Sequence, residues 1–81
     1  MELIYTPHFK QSFRKFPKEI HMKFSKQASY LLDDIRHPSL HAKKYDERRN
    51  IWQARVDRGI RFYFLIQDDA YLLLEISLHP K

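Results

Sequence analysis

The sequence predicts an α+β fold, with an N-terminal helical hairpin packed on one face of a mainly antiparallel four-stranded sheet. Three observations lead there. Apolar residues recur at helical spacing as far as Ile35 and alternate from Ala42 onward, so the period changes from about 3.6 to 2. Pro7, Pro17, Pro38 and the single glycine, Gly59, punctuate these segments. Finally, 81 residues with 43% hydrophobic and 15% aromatic content supply one core, so residues 1–81 form one domain.

Leu3 to Tyr5 reads as a short first strand. Thr6 then offers an N-cap, followed by Pro7 at the first helical position, and Phe9, Phe13 and Phe16 recur at helical spacing. Pro17 ends that helix and opens a longer one, along which Ile20, Phe24, Ala28, Leu31 and Ile35 form an apolar stripe. Pro38 closes the helical half. Three alternating strands follow at Asn50 to Val56, Ile60 to Ile66 and Tyr71 to Leu78, the first starting early at Lys43 to Tyr45. Asp57-Arg58-Gly59 suits a three-residue hairpin loop with Gly59 at a positive φ, and Gln67-Asp68-Asp69 marks the next turn.

Alternate residues of a strand share a face. One face carries Trp52, Ala54, Val56, Ile60, Phe62, Phe64, Ile66, Leu72, Leu74, Ile76 and Leu78, and is expected under the helices. The other carries Gln53, Arg55, Arg61, Tyr63, Glu75, Ser77 and His79. If Val56 faces Ile60 across the Gly59 loop, Arg55 lies opposite Arg61 and Gln53 opposite Tyr63. Like charges so placed cost roughly 0.2–1 kcal/mol, which an anion between them would offset. Glu75 is the other way to relieve them, since the next hairpin sets either Glu75 or Ser77 against Arg61.

Charge placement points the same way. Between Arg36 and Arg61 eight basic residues stand against three acids, a surplus of five that accounts for the whole net charge of +5. A basic middle third on a neutral remainder attracts polyanions such as nucleic acid, although a solvated face kept basic for solubility has the same composition. With no cysteine there is no disulfide framework or thiolate chemistry, and the expected address is the cytoplasm. The apolar runs are strand-length, so neither a membrane span nor an export signal is expected. His8, His21, His37 and His41 make no metal site by spacing, because Pro38 interrupts the His37/His41 pair and no acidic or cysteine ligands accompany them. Neither a metal nor a cofactor is expected.

The segments FRKFPKEI, HPSLHAKKY, NIWQARV, GIRFYFLI and ISLHP, in this order and spacing, resemble the RelE/ParE superfamily of bacterial toxins over almost the whole chain. The resemblance implies the toxin of a toxin-antitoxin pair, with an acidic antitoxin whose folding segment masks the basic face. In ribosome-dependent members the toxin cuts messenger RNA without metal, the 2′-hydroxyl attacking its own phosphate; gyrase inhibitors share the fold. The family's basic outer-face residues, its second-strand arginine, and the histidine, arginine or tyrosine near the end of its last strand match Arg55, Arg61 and His79. Gln53 stands where some members have a basic residue.

In that chemistry Arg61 grips the scissile phosphate, Arg55 and Lys81 share charge stabilisation, His79 is the general acid, and Glu75 or the imidazole itself is the base. Tyr63 stacks on a base or donates a hydrogen bond, and Lys43, Lys44, Arg48, Arg49, Gln53 and Arg58 complete the RNA-binding face. The alternative is a non-enzymatic protein of the same fold, either an inhibitor of gyrase type or an RNA- or ribosome-binding relative without cleavage.

Overall fold

The computed structural model describes residues 1–79. Five strands and two helices follow in the order β1 (Glu2–Tyr5), α1 (Pro7–Arg14), α2 (Lys18–Asp33), a single 3₁₀ turn (Pro38–Leu40), β2 (Lys43–Asp46), β3 (Ile51–Asp57), β4 (Ile60–Gln67) and β5 (Ala70–Leu78). Thr6 caps α1 as its sequence predicts: its Oγ1 accepts the Phe9 N–H at 3.1 Å and donates to the Leu73 carbonyl at 2.7 Å. One hydroxyl therefore starts the helix and ties it to β5. Among the described residues no helix is long and apolar enough to cross a membrane.

The sheet runs β1-β5-β4-β3-β2, antiparallel except for the parallel β1–β5 pair. It has five strands where four were expected, because the run from Lys43 breaks after Asp46. The Asp46 carboxylate accepts the Arg49 N–H at 3.2 Å and its Nε–H at 2.8 Å, and Asn50 turns left-handed at φ 56, so β2 folds back on β3 as a separate edge strand. The helices also differ from a simple hairpin. α1 lies against β5 and α2 against β3. They meet through rings, with Phe9 and Phe13 5.3 and 5.2 Å from Phe24 and Phe13 stacked on His21 at 4.0 Å.

Phe9, Phe24, Leu31, Leu40, Phe62, Phe64, Leu73 and Ile76 are fully buried between helices and sheet. Ala54, Val56, Ile60, Phe62 and Phe64 face inward as expected, but β5 does not keep the expected alternation. Tyr63 pairs with Glu75 and Phe64 with Leu73, leaving Leu74 as the extra residue of a β-bulge. One inserted residue reverses the faces of everything before it, so Tyr71 and Leu73 enter the core while Leu72 and Leu74 turn outward. Leu78, also expected inside, is 72% exposed.

The β3–β4 hairpin departs from expectation at its tip. Asp57, not Val56, pairs with Ile60; Val56 is taken up in a bulge, and Gly59 does not adopt a positive φ. The Asp57 carboxylate accepts the Gly59 N–H at 3.0 Å, which turns the chain without left-handed glycine.

Candidate functional site

Beyond the bulge the register is the expected one: Arg55 lies opposite Arg61 and Gln53 opposite Tyr63, and β5 sets Ser77 against Arg61 and Glu75 against Tyr63. Across β2–β3, Lys43 pairs with Gln53. These strands, with the loop after the 3₁₀ turn and the end of β5, enclose a cleft of about 320 Å³ lined by His41, Ala42, Lys43, Gln53, Arg55, Arg61 and His79. Among the described residues no carboxylate lines it, and neither arginine nor Lys43 makes an ion pair. Among the described residues the cleft is therefore cationic and uncompensated.

Its two arginines are held differently. The hydrogen bonds Arg61 makes among the described residues all leave from Nη1, to the carbonyls of Asp57 at 2.7 Å, Ile60 at 3.1 Å and Arg58 at 3.2 Å. They fix the guanidinium at the hairpin turn. Arg55 is half-buried, and its Nε is buried with no hydrogen-bond partner among the described residues. An orphaned, charge-bearing donor of this kind costs more than about 1–3 kcal/mol, and an anion entering the cleft would satisfy it. His79 is exposed, and its backbone N–H bonds the Gly59 carbonyl at 2.7 Å, so the end of β5 is stapled to the hairpin beside Arg61.

Glu75 does not join this cleft. Its Oε2 lies 2.6 Å from His8 Nε2, and Oε1 accepts the Ile76 N–H at 2.9 Å. Burial pushes the Glu75 carboxyl up, but the hydrogen bonds from Ser12 and His8 outweigh it and hold the group below the usual glutamate value. Tyr63 packs edge-on against Tyr45 at 4.8 Å and lines a neighbouring groove of about 370 Å³ with Tyr45, Ile51, Leu74, Glu75, Ser77 and Leu78. The outer face is thus cationic at one end and aromatic and aliphatic at the other.

The remaining basic residues divide. Lys44 is paired with Glu47 at 3.7 Å, bonded to Asn50 Oδ1 at 3.1 Å and seated over Trp52 at 5.4 Å. Arg49 is paired with Asp46, whose carboxyl its side-chain hydrogen bond holds below the usual range. Arg48 and Arg58 are exposed, and Gln53 is buried in the cleft wall at 8% exposure. Lys81 lies outside the described residues.

One residue that lines the cleft and one that supports its wall escaped the sequence reading. His41 lines the cleft at φ 47, ψ 41, a left-handed conformation in which histidine is enriched. Gln27 is 5% exposed, and its Nε2 donates to the Ser39 carbonyl at 2.9 Å and the Arg55 carbonyl at 2.7 Å, while its Oε1 accepts from Ser39 Oγ at 2.9 Å. A signal for it existed: Gln27 interrupts the stripe of Ile20, Phe24 and Leu31 at helical spacing.

Solved structures carry this fold. The chain is similar to a YoeB/ParE toxin from Agrobacterium tumefaciens, with 10% identity and TM-score 0.79 over 99% of this chain and 100% of that one. It is similar also to a copper-bound mutant toxin from Helicobacter pylori, at 14% identity and TM-score 0.75 over 98% and 94% of the two chains. A third likeness is to a conserved hypothetical protein from Helicobacter pylori, at 14% identity and TM-score 0.66 with the same coverage. No protein-family model and no curated protein matches the sequence. The chain therefore has the fold of these toxins, the RelE/ParE-type fold that its sequence resembles.

Proposed function

We propose that this chain is the toxin of a toxin-antitoxin pair and that it cleaves messenger RNA on the ribosome without a metal. The observation that carries the reading is the Arg55–Arg61 pair, set opposite each other in a cleft that among the described residues has no carboxylate and leaves one buried guanidinium donor unpartnered. A sheet selected for stability alone has no use for that arrangement, whereas a phosphodiester in the cleft neutralises both charges and accepts the orphaned donor.

Arg61, fixed by the hairpin carbonyls, grips the scissile phosphate, and Arg55 stabilises the charge that develops on it. His79, beside them, protonates the leaving 5′-oxygen, histidine being the side chain that most readily holds and gives a proton near neutrality. Lys43 and the exposed Arg48 and Arg58 attract the backbone, and Tyr63 with Tyr45 offers a surface for a flanking base. Glu75, taken up by His8, serves the α1–β5 contact and not the reaction. An acidic antitoxin covering the cleft would neutralise the same charges.

Expression of the chain in bacterial cells tests this reading. Translation should stop, and messenger fragments should carry 5′-hydroxyl and 2′,3′-cyclic phosphate ends. Arrest of DNA replication with intact messages would instead favour an inhibitor of gyrase type.

A further inference from the structure

The cleavage proposed above needs a group to take the 2′-proton, and the carboxylate expected to do so is bonded elsewhere. We infer that His41 is that group, held in place against Arg55 by Gln27. The inference rests on the proposed cleavage and assigns a residue to it.

His41 follows the buried Leu40, and three ties to α2 fix the segment that carries it. The Tyr30 ring stacks on His37 at 3.8 Å with 6° between planes. Leu40 is wholly enclosed in the core. Gln27 bridges the Ser39 and Arg55 carbonyls with one amide nitrogen, so the position of this loop and that of the arginine strand are set by the same side chain. The His41 N–H bonds the Pro38 carbonyl at 3.3 Å, closing the turn in its left-handed conformation. His41 is thereby held among the residues that line the cleft, with Arg55, Arg61 and His79.

The step balances. His41 takes the proton of the 2′-hydroxyl as the 2′-oxygen bonds to phosphorus; the bond from phosphorus to the 5′-oxygen breaks, and His79 gives that oxygen its proton. A 2′,3′-cyclic phosphate and a 5′-hydroxyl result, with no external reactant. Among the described residues the charged and titratable groups around His41 are Lys43, Arg55, Arg61 and His79 in the cleft, and Lys23, Lys26 and Asp57 in the adjoining hollow that His41 also lines.

Single-turnover cleavage of messenger RNA on programmed ribosomes, followed against pH with and without added imidazole, tests the assignment. Glycine tolerates the left-handed backbone at this exposed position, so His41→Gly should fold. It should cut about 10²- to 10⁴-fold more slowly, lose the limb in which the rate rises with pH, and recover rate when imidazole is supplied. Full cleavage by His41→Gly with that limb intact, or a slowed variant that imidazole does not restore, would remove His41 while leaving the proposed cleavage standing. No cleavage by the unaltered chain would overturn both.

Discussion

Arg61 and Glu75 show how one side chain's surroundings decide its use. Both were read from the same outer face, yet Arg61 is anchored beside the cleft by hairpin carbonyls and Glu75 is drawn toward α1 by His8. Because the Glu75 carboxyl sits below its ordinary value when folded, its contribution to stability is full above that ordinary value and is lost as pH falls through the lower, folded one. Glu75→Gln should therefore lower the melting temperature at pH 7 and narrow its difference from the melting temperature at acid pH, while cleavage stays within a few-fold of wild type. A hundredfold loss of cleavage in that variant would return Glu75 to the mechanism. Arg58, exposed on the hairpin, gives the contrasting case: Arg58→Ala should weaken RNA binding modestly and reduce its salt slope by about one, leaving the rate of the bound complex unchanged.

At the level of elements, capping and punctuation were legible and bulges were not. Thr6-Pro7 and Pro17 place both helix starts through purely local chemistry, and the 2-residue period of Phe62 and Phe64 places β4. The period also set Arg55 against Arg61, so the heart of the cleft was readable. Nothing in Leu72-Leu73-Leu74 says which leucine is the extra one; three identical side chains fit either phase, and pairing with Phe64 decides. His41 and Gln27 were hidden for a related reason, since the loop meets β3 only through tertiary packing. Two measurements follow. Leu73→Ala should cost about 2–5 kcal/mol in denaturant unfolding and Leu74→Ala less than about 1, and the reverse order would refute the bulge. Gln27→Met, which strands the Ser39 and Arg55 carbonyls, should cost about 1–3 kcal/mol by the same assay.

For the molecule as a whole, a chain of this length buries only about 60% of its unfolded surface, and its cleft is cationic among the described residues, so a partner that covers the cleft adds stability by mass action. A small acidic companion should raise its melting temperature in proportion to the logarithm of companion concentration and suppress RNA binding, and a companion that stabilises it while leaving the cleft open to RNA would refute masking. Single-turnover cleavage on programmed ribosomes, with binding measured beside it, separates chemistry by the paired arginines and His79 from mere retention of RNA. Wild-type chain should cut; Arg61→Ala should lose about 10²-fold or more, and His79→Ala about 10²- to 10⁴-fold with ribosome binding retained. Tight binding by the wild-type chain with no cleavage, or full cleavage by Arg61→Ala, would contradict catalysis at this cleft.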